Sequence, residues 1–293
     1  MSTATSQLSP YVLDARTKIK ESADFIRSKT SMTEGNERSS IAPKVGIILG
    51  SGLGALADDV KGGVTLPYGE IPNFPVSTAP GHKGNLVVGE LQGKGVMMMQ
   101  GRFHAYEGYT QQQVVFPIRV MRALGVETLI VTCAVGGLNF RFEAGDLMAI
   151  VDHINLTGTN PLIGPNDPDM GDRFPVMYDC YRPELLQIAR DVALAQGVRL
   201  QEGVHAGIIG PAFCTKAELR YLIRIGADSV GMSTVPEVIA ATHAGLKVLG
   251  IATVSDMAIP DSGHHATEQE ILHVASQVGP KLKALVDGIL KKL

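Results

Sequence analysis

Apolar residues recur at three- and four-residue spacing near the start of the chain, at Val12, Ala15, Ile19, Ala23 and Ile26. That period lays one stripe along a helix of about four turns, which should pack on the body of the protein. Residues 28–40 are polar, contain Gly35 and have no apolar period, which predicts an exposed linker or loop. From Lys44 the pattern changes. Short runs rich in Val, Ile, Leu and Met recur at 45–49, 86–88, 96–99, 129–132, 147–151, 205–209, 229–232 and 248–254, and they predict strands buried on both faces.

Helical spacing returns between these runs. Val114, Ile118 and Met121 share a face within 111–124. Thr215-Lys216-Ala217-Glu218 is a capping box ahead of Leu219, Leu222 and Ile223, and Thr267 with Glu270 forms another ahead of Ile271, Val274 and Val278. Pro236 marks a helix start, and Pro280 removes a helix hydrogen bond, which predicts a bend at Gly279-Pro280. Strands alternating with helices predict an α/β fold: a single domain over 44–293 with a mixed central β-sheet flanked by helices, preceded by the helix and polar linker of 1–43.

Composition removes other classes. With 293 residues, 45% of them hydrophobic, the chain is long enough to bury roughly three quarters of its unfolded surface. A formal charge of -3 argues against both disorder and a basic nucleic-acid surface. Cys133, Cys180 and Cys214 lie far apart with no C-x-x-C pair, so they read as buried small residues in a reducing compartment unless one lines a site. No signal peptide or apolar run of spanning length is evident, so the expected location is cytoplasmic, away from membranes.

The chemistry gathers at strand ends. Gly50-Ser51-Gly52-Leu53-Gly54 follows the first buried strand, where its backbone N–H groups and the Ser51 hydroxyl suit an anion such as phosphate. A dinucleotide reading competes, because Gly50, Gly52 and Ala55 approximate G-x-G-x-x-A and Glu70 lies about twenty residues on. Against it, residues 62–75 hold three prolines where that fold needs a helix and a second buried strand. A plain turn remains the bland alternative.

After the strand candidate at 96–99, Arg102, His104 and Tyr106 alternate, so an extended stretch would point them to one side. An arginine fork with an imidazole suits a phosphate or carboxylate. The bland alternative is a surface loop with an Arg-Glu pair. Cys133-Ala134-Val135-Gly136-Gly137-Leu138-Asn139 and Gly231-Met232-Ser233-Thr234-Val235-Pro236-Glu237 also end strands. In open α/β sheets ligands gather at the carboxyl ends of strands, so these segments predict one shared site.

These motifs resemble, in order, those of the trimeric purine nucleoside phosphorylases. The resemblance also takes in Gly69-Glu70-Ile71-Pro72-Asn73-Phe74-Pro75, Pro80-Gly81-His82 and Gly164-Pro165-Asn166-Asp167, and spans roughly residues 44–290. It implies reversible phosphorolysis of a nucleoside to free base and pentose 1-phosphate. Orthophosphate is then a co-substrate, with no metal or organic cofactor and no nucleic-acid partner. By the same resemblance Ser51, His82, Arg102, His104, Ala134 and Ser233 bind phosphate, and Tyr106 and Met232 touch the sugar. Phe174 closes the sugar pocket of the neighbouring subunit in a homotrimer. Phe213 and Val230 wall the base pocket, and Arg102, His104 and Asp256 carry the chemistry.

Three positions depart from the family pattern. The glutamate that reads a 6-oxopurine is Cys214 in Gly210-Pro211-Ala212-Phe213-Cys214-Thr215, and the asparagine at the base edge is Asp256. The histidine near the sugar 5'-hydroxyl aligns with Glu268, after a shortened loop carrying His264 and His265. Loss of a buried acceptor and gain of a carboxylate predict broadened base specificity, with adenosine accepted beside inosine and cytidine conceivable. A methylthioadenosine phosphorylase is the nearest alternative; a nucleoside-binding protein with little turnover is an alternative of another class.

Overall fold

A computed structural model describes residues 8–30, 42–50, 54–263 and 266–293. The opening stripe becomes α1 (Pro10–Thr30), longer than its period implied because 28–30 join the helix. Val12, Ile19, Ala23 and Ile26 are its buried face. Residues 31–41, the rest of the expected linker, lie outside the described residues. Arg16 of α1 pairs with both Asp167 and Asp169, its Nε donating to Asp167 Oδ2 at 2.8 Å. The first helix thereby anchors the segment that leads to Phe174.

All eight expected strands form: β1 (Val45–Leu49), β3 (Asn85–Leu91), β4 (Lys94–Gln100), β5 (Thr128–Gly137), β6 (Leu147–Asn155), β7 (Leu200–Gly207), β8 (Ser229–Gly231) and β9 (Lys247–Met257). A ninth, β2 (Lys61–Pro67), occupies the glycine- and proline-bearing stretch and pairs antiparallel with β3 at the sheet edge. Its exposed side chains and two glycines gave no apolar pattern. The helical stretch at 111–124 is divided into α2 (Gln111–Val114) and α3 (Phe116–Ala123), with Pro117 in the first turn of α3. α4 (Pro183–Ala195) packs with the C-terminal helix, α5 (Lys216–Arg224) starts at its Thr215 box, and α6 (Val235–His243) starts with Pro236 in its first turn. α7 (Glu268–Leu290) starts at its Thr267 box and continues through Pro280. No helix among the described residues is long and apolar enough to cross a membrane.

The sheet is mixed, in the order β2-β3-β4-β1-β5-β8-β7-β6-β9, and an added β5–β9 pairing closes β5, β8, β7, β6 and β9 into a ring. That closure is the device that makes the site. β5 has β1 beside its first half, with Ile48 opposite Val131, and β8 beside its end, with Gly136 opposite Val230. Residues 132–135 lie between these two partners. Neighbouring strands diverge there, which opens a crevice at a topological switch point.

Buried within β7, His205 is 0% exposed; its Nδ1 lies 3.0 Å from Ser229 Oγ, while Nε2 has no hydrogen-bond partner among the described residues. Burial, reinforced by His153, pushes its pKa down to about 4. The unfolded chain, with an ordinary histidine pKa near 6.5, therefore takes up a proton that the folded chain refuses as pH falls from about 6.5 towards 4. Stability is full above that window and should fall by about 2 kcal/mol for this histidine between pH 7 and 4.5. Urea unfolding at the two pH values, compared with His205→Gln, measures it; an equal pH slope in the variant would contradict the assignment.

Candidate active site

A cleft of about 370 Å³ opens at the seam, and its wall includes Gly50, His82, Arg102, His104, Tyr106, Ala134, Phe213, Cys214, Val230, Met232, Ser233, Asp256 and Glu268. Twelve of the expected site residues thus meet in one place. Ser51 falls outside the described residues, as do His264 and His265. Phe174 is 85% exposed and absent from the cleft of its own chain.

One end of the cleft is built for an anion. Gly50 has to be glycine because a Cβ there would stand 2.9 Å from the Cys133 Cα. Its N–H donates to Thr132 Oγ1 at 3.1 Å, and that hydroxyl donates to Ile48 O at 3.0 Å, tying β1 to β5 at the seam. Arg102 is almost fully buried. Its Nη2 donates to Thr132 O, its Nη1 donates to Thr234 Oγ1 at 3.2 Å, and Nε has no partner among the described residues. A buried guanidinium with an unused donor is arranged for an incoming oxyanion.

Two histidines stand beside it. The rings of His82 and His104 stack at 5.3 Å, and those of His104 and Tyr106 at 4.5 Å. Arg102 N–H donates to His82 Nδ1 at 3.2 Å. Burial, then the nearby His104 and Arg102, lowers the His82 pKa to about 4, so it is neutral at pH 7. His82 packs so closely on Gly101 that a Cβ at the latter would meet the His82 Cβ at 2.6 Å; Gly101 also has φ +108.

His104 is oriented by Glu107, whose Oε1 lies 3.0 Å from Nδ1 and accepts the His104 N–H at 2.8 Å. The other oxygen accepts from Thr78 N–H and Oγ1, both at 2.7 Å. Burial opposes ionisation of Glu107, but these hydrogen bonds from His104 and Thr78 prevail and hold its carboxyl at about 2. A carboxylate only accepts, so the His104 proton sits on Nδ1 and Nε2 is left for a ligand.

The alternation expected of Arg102, His104 and Tyr106 ends at His104, because residues 105–107 wind into a 3-10 turn. Tyr106 reaches the cleft through its stack on His104. Burial, then the charge of Glu107 and more weakly Glu268, raises the Tyr106 phenol to about 12. The carboxylate partner expected for the arginine run is also different: Glu107 serves His104, and Arg102 pairs with Glu237. Glu107 and Thr78 were missed as site residues. The three-residue spacing of His104 and Glu107 was the available signal; Thr78 gave none.

The opposite end is apolar. Ile208, Phe213, Cys214, Leu219, Val230 and Ala258 wall it, and most belong to or pack on a second small hydrophobic cluster apart from the main core. Asp256 sits at its edge. A register shift between β5 and β9 at Val135/Gly136 brings Asp256 opposite Gly136. The Ser255 hydroxyl lies 3.1 Å from Val135 O and 3.3 Å from Asp256 Oδ1. Cys133 and Cys180 are buried and Cys214 half-buried, with burial raising the Cys214 thiol. The arrangement is an oxyanion subsite with two oriented imidazoles in a cleft whose other walls are largely apolar, with the carboxylates of Asp256 and Glu268 among them.

The family profile described as Phosphorylase superfamily matches residues 44–291. The chain is similar to purine nucleoside phosphorylase 1 of Geobacillus stearothermophilus, with 50% identity over 95% of this chain and 98% of that one. Among solved structures it is similar to Schistosoma mansoni purine nucleoside phosphorylase in complex with adenosine, at 41% identity and TM-score 0.87, covering 94% and 97% of the two chains. It is likewise similar to isoform 2 of that organism's enzyme with cytosine and ribose-1-phosphate, at 38% identity and TM-score 0.87, covering 94% and 96%.

Proposed function

The chain belongs to the phosphorylase superfamily, and from that premise we infer that it catalyses the phosphate-dependent, reversible cleavage of purine nucleosides to free base and pentose 1-phosphate. The observation that carries the reading is the juxtaposition, in one cleft, of the Arg102 oxyanion subsite with a base-sized apolar slot edged by Asp256. As the glycosidic bond breaks, the sugar becomes oxocarbenium-like, so a phosphate held on one face and a group stabilising the departing base on the other lower the barrier. In this reading Arg102, His82, His104, Ser233, Ser51 and the Ala134 backbone hold phosphate. Tyr106, Met232 and Glu268 hold the sugar, and Phe213, Val230, Cys214 and Asp256 hold the base. Orthophosphate is the co-substrate, and the reaction uses no metal or organic cofactor.

Cys214 and Asp256 broaden the range of bases. The two Schistosoma structures, one with adenosine and one with cytosine, show relatives of the same architecture holding amino-bases and support this. Base release from inosine and adenosine, measured side by side with and without orthophosphate, tests both levels of the reading. Phosphate-dependent release from both is expected. Release without phosphate would overturn phosphorolysis; release from inosine alone would overturn the specificity.

The working unit is a homotrimer located in the cytoplasm and serving purine salvage. Supporting the trimer, Phe174, Val176 and Tyr178 are 85%, 80% and 88% exposed in one short segment, an apolar patch of the kind that a partner covers. Sedimentation of the purified protein is expected to give three copies. Phe174→Ala should raise the nucleoside KM by about tenfold, as loss of a buried aromatic contact does, and leave the phosphate KM unchanged. A monomeric, fully active protein would contradict this assignment.

A further inference from the structure

Arg102 and Glu237 form an ion pair of 3.2 Å between side chains only 2% and 3% exposed. Neither Glu237 oxygen has a hydrogen-bond partner among the described residues, so the guanidinium is held to it by charge. Arg102 belongs to the cleft wall, whereas Glu237, Thr234 and Thr132 do not. Thr234 Oγ1 accepts from Nη1 and Thr132 O from Nη2, while Nε is unused among the described residues. Thr234 is held at φ +77, strained for a β-branched residue, as it caps α6 and presents this hydroxyl. Thr234, in a costly conformation, and Glu237, three residues on in the first turn of α6, thus converge on Nη1 of one arginine.

We propose that Glu237 is the positioning residue of the phosphate subsite: its charge, with the two neutral acceptors, fixes the roll of the Arg102 fork so that the remaining donors meet the phosphate. An arginine on a long stem otherwise samples many rotamers, and its value in binding an oxyanion lies in a fork already in place. Glu237 also compensates the buried cation while the cleft is empty. The proposal rests on the phosphate-site reading above.

Glu237→Gln preserves shape and removes the charge. With inosine and orthophosphate varied separately, the phosphate KM is expected to rise about tenfold while the inosine KM stays within twofold. Calorimetric titration with orthophosphate alone should show weakening by the same factor. Glu237→Asp keeps the charge but withdraws it by one methylene, and should weaken phosphate in the same direction by less. A phosphate KM unchanged or lowered in both folded variants overturns the proposal, as does an equal rise in both KM values, which a merely structural role would produce. Arg102→Lys separates the levels. If it too leaves the phosphate KM unchanged, the phosphate-site reading has failed; if it alone raises that KM, only the role of Glu237 has failed.

Discussion

Arg102→Lys is expected to lower kcat/KM for orthophosphate by about 10²- to 10³-fold, the largest single effect of any substitution at the oxyanion end. The lysine keeps the positive charge opposite Glu237 and so isolates the fork. Alanine would be a poorer probe, since stripping the partner from a buried carboxylate costs roughly 3 to 5 kcal/mol of stability and mixes folding with function. Hydrogen bonds to a charged group contribute about 1.5 to 3 kcal/mol each, and a point ammonium cannot reproduce two of them at once. Losing the fork's geometry removes stabilisation as charge migrates towards the sugar, so kcat should fall together with kcat/KM. Initial rates of hypoxanthine release from inosine, with orthophosphate varied, provide the measurement. A loss smaller than tenfold would mean that phosphate is held elsewhere.

What the sequence made legible divides along lines of distance. Gly50, Arg102, Gly136 and Gly231 were readable because a strand end advertises itself locally: an apolar run stops, small residues follow, and a polar side chain stands just past them. The capping boxes at Thr215 and Thr267 were readable for the same reason, since their partners lie three residues away. The Arg102–Glu237 pair was not, because 135 residues separate its members and the carboxylate sits in a helix whose period gives no hint of an ion pair. Nor was the closure of the ring through β5 and β9 legible. Burial on both faces predicts that a strand is central without saying which strands flank it. The edge strand β2 escaped for the opposite reason: five of its seven residues are exposed and two of those are glycines, so it carries no period. The roles assigned to the base-reading residues came from a resemblance; the fold then brought Phe213, Cys214, Val230 and Asp256 together around one slot.

At that slot, Asp256→Asn is expected to lower kcat/KM for adenosine by about 10- to 100-fold relative to inosine, which corresponds to 1 to 3 kcal/mol of discrimination. An ionised carboxylate only accepts, so it suits an exocyclic amine; when protonated it can also donate to the departing base nitrogen. An asparagine carries both a donor and an acceptor, and with its NH₂ turned to the base it meets a 6-oxo group as readily. Ser255 spans Val135 O and Asp256 Oδ1, and the Asn Oδ1 retains that contact, so the variant should fold as the parent does. Cys214→Glu acts on the other side of the discrimination. The thiol it replaces is half-buried, and burial keeps it neutral, so it offers no strong acceptor to a ring N–H. A glutamate there would supply that acceptor to inosine and face an unprotonated ring nitrogen in adenosine, leaving a desolvated carboxylate unpaired. The double variant should therefore shift preference towards inosine by more than either change alone, and by an amount different from their product, because both side chains read the same ring. Competition between inosine and adenosine in a single reaction, followed by chromatography of hypoxanthine and adenine, measures the ratio directly. An adenosine-to-inosine ratio unmoved by both substitutions would place base recognition outside this pair and return Cys214 to the role of a packing residue.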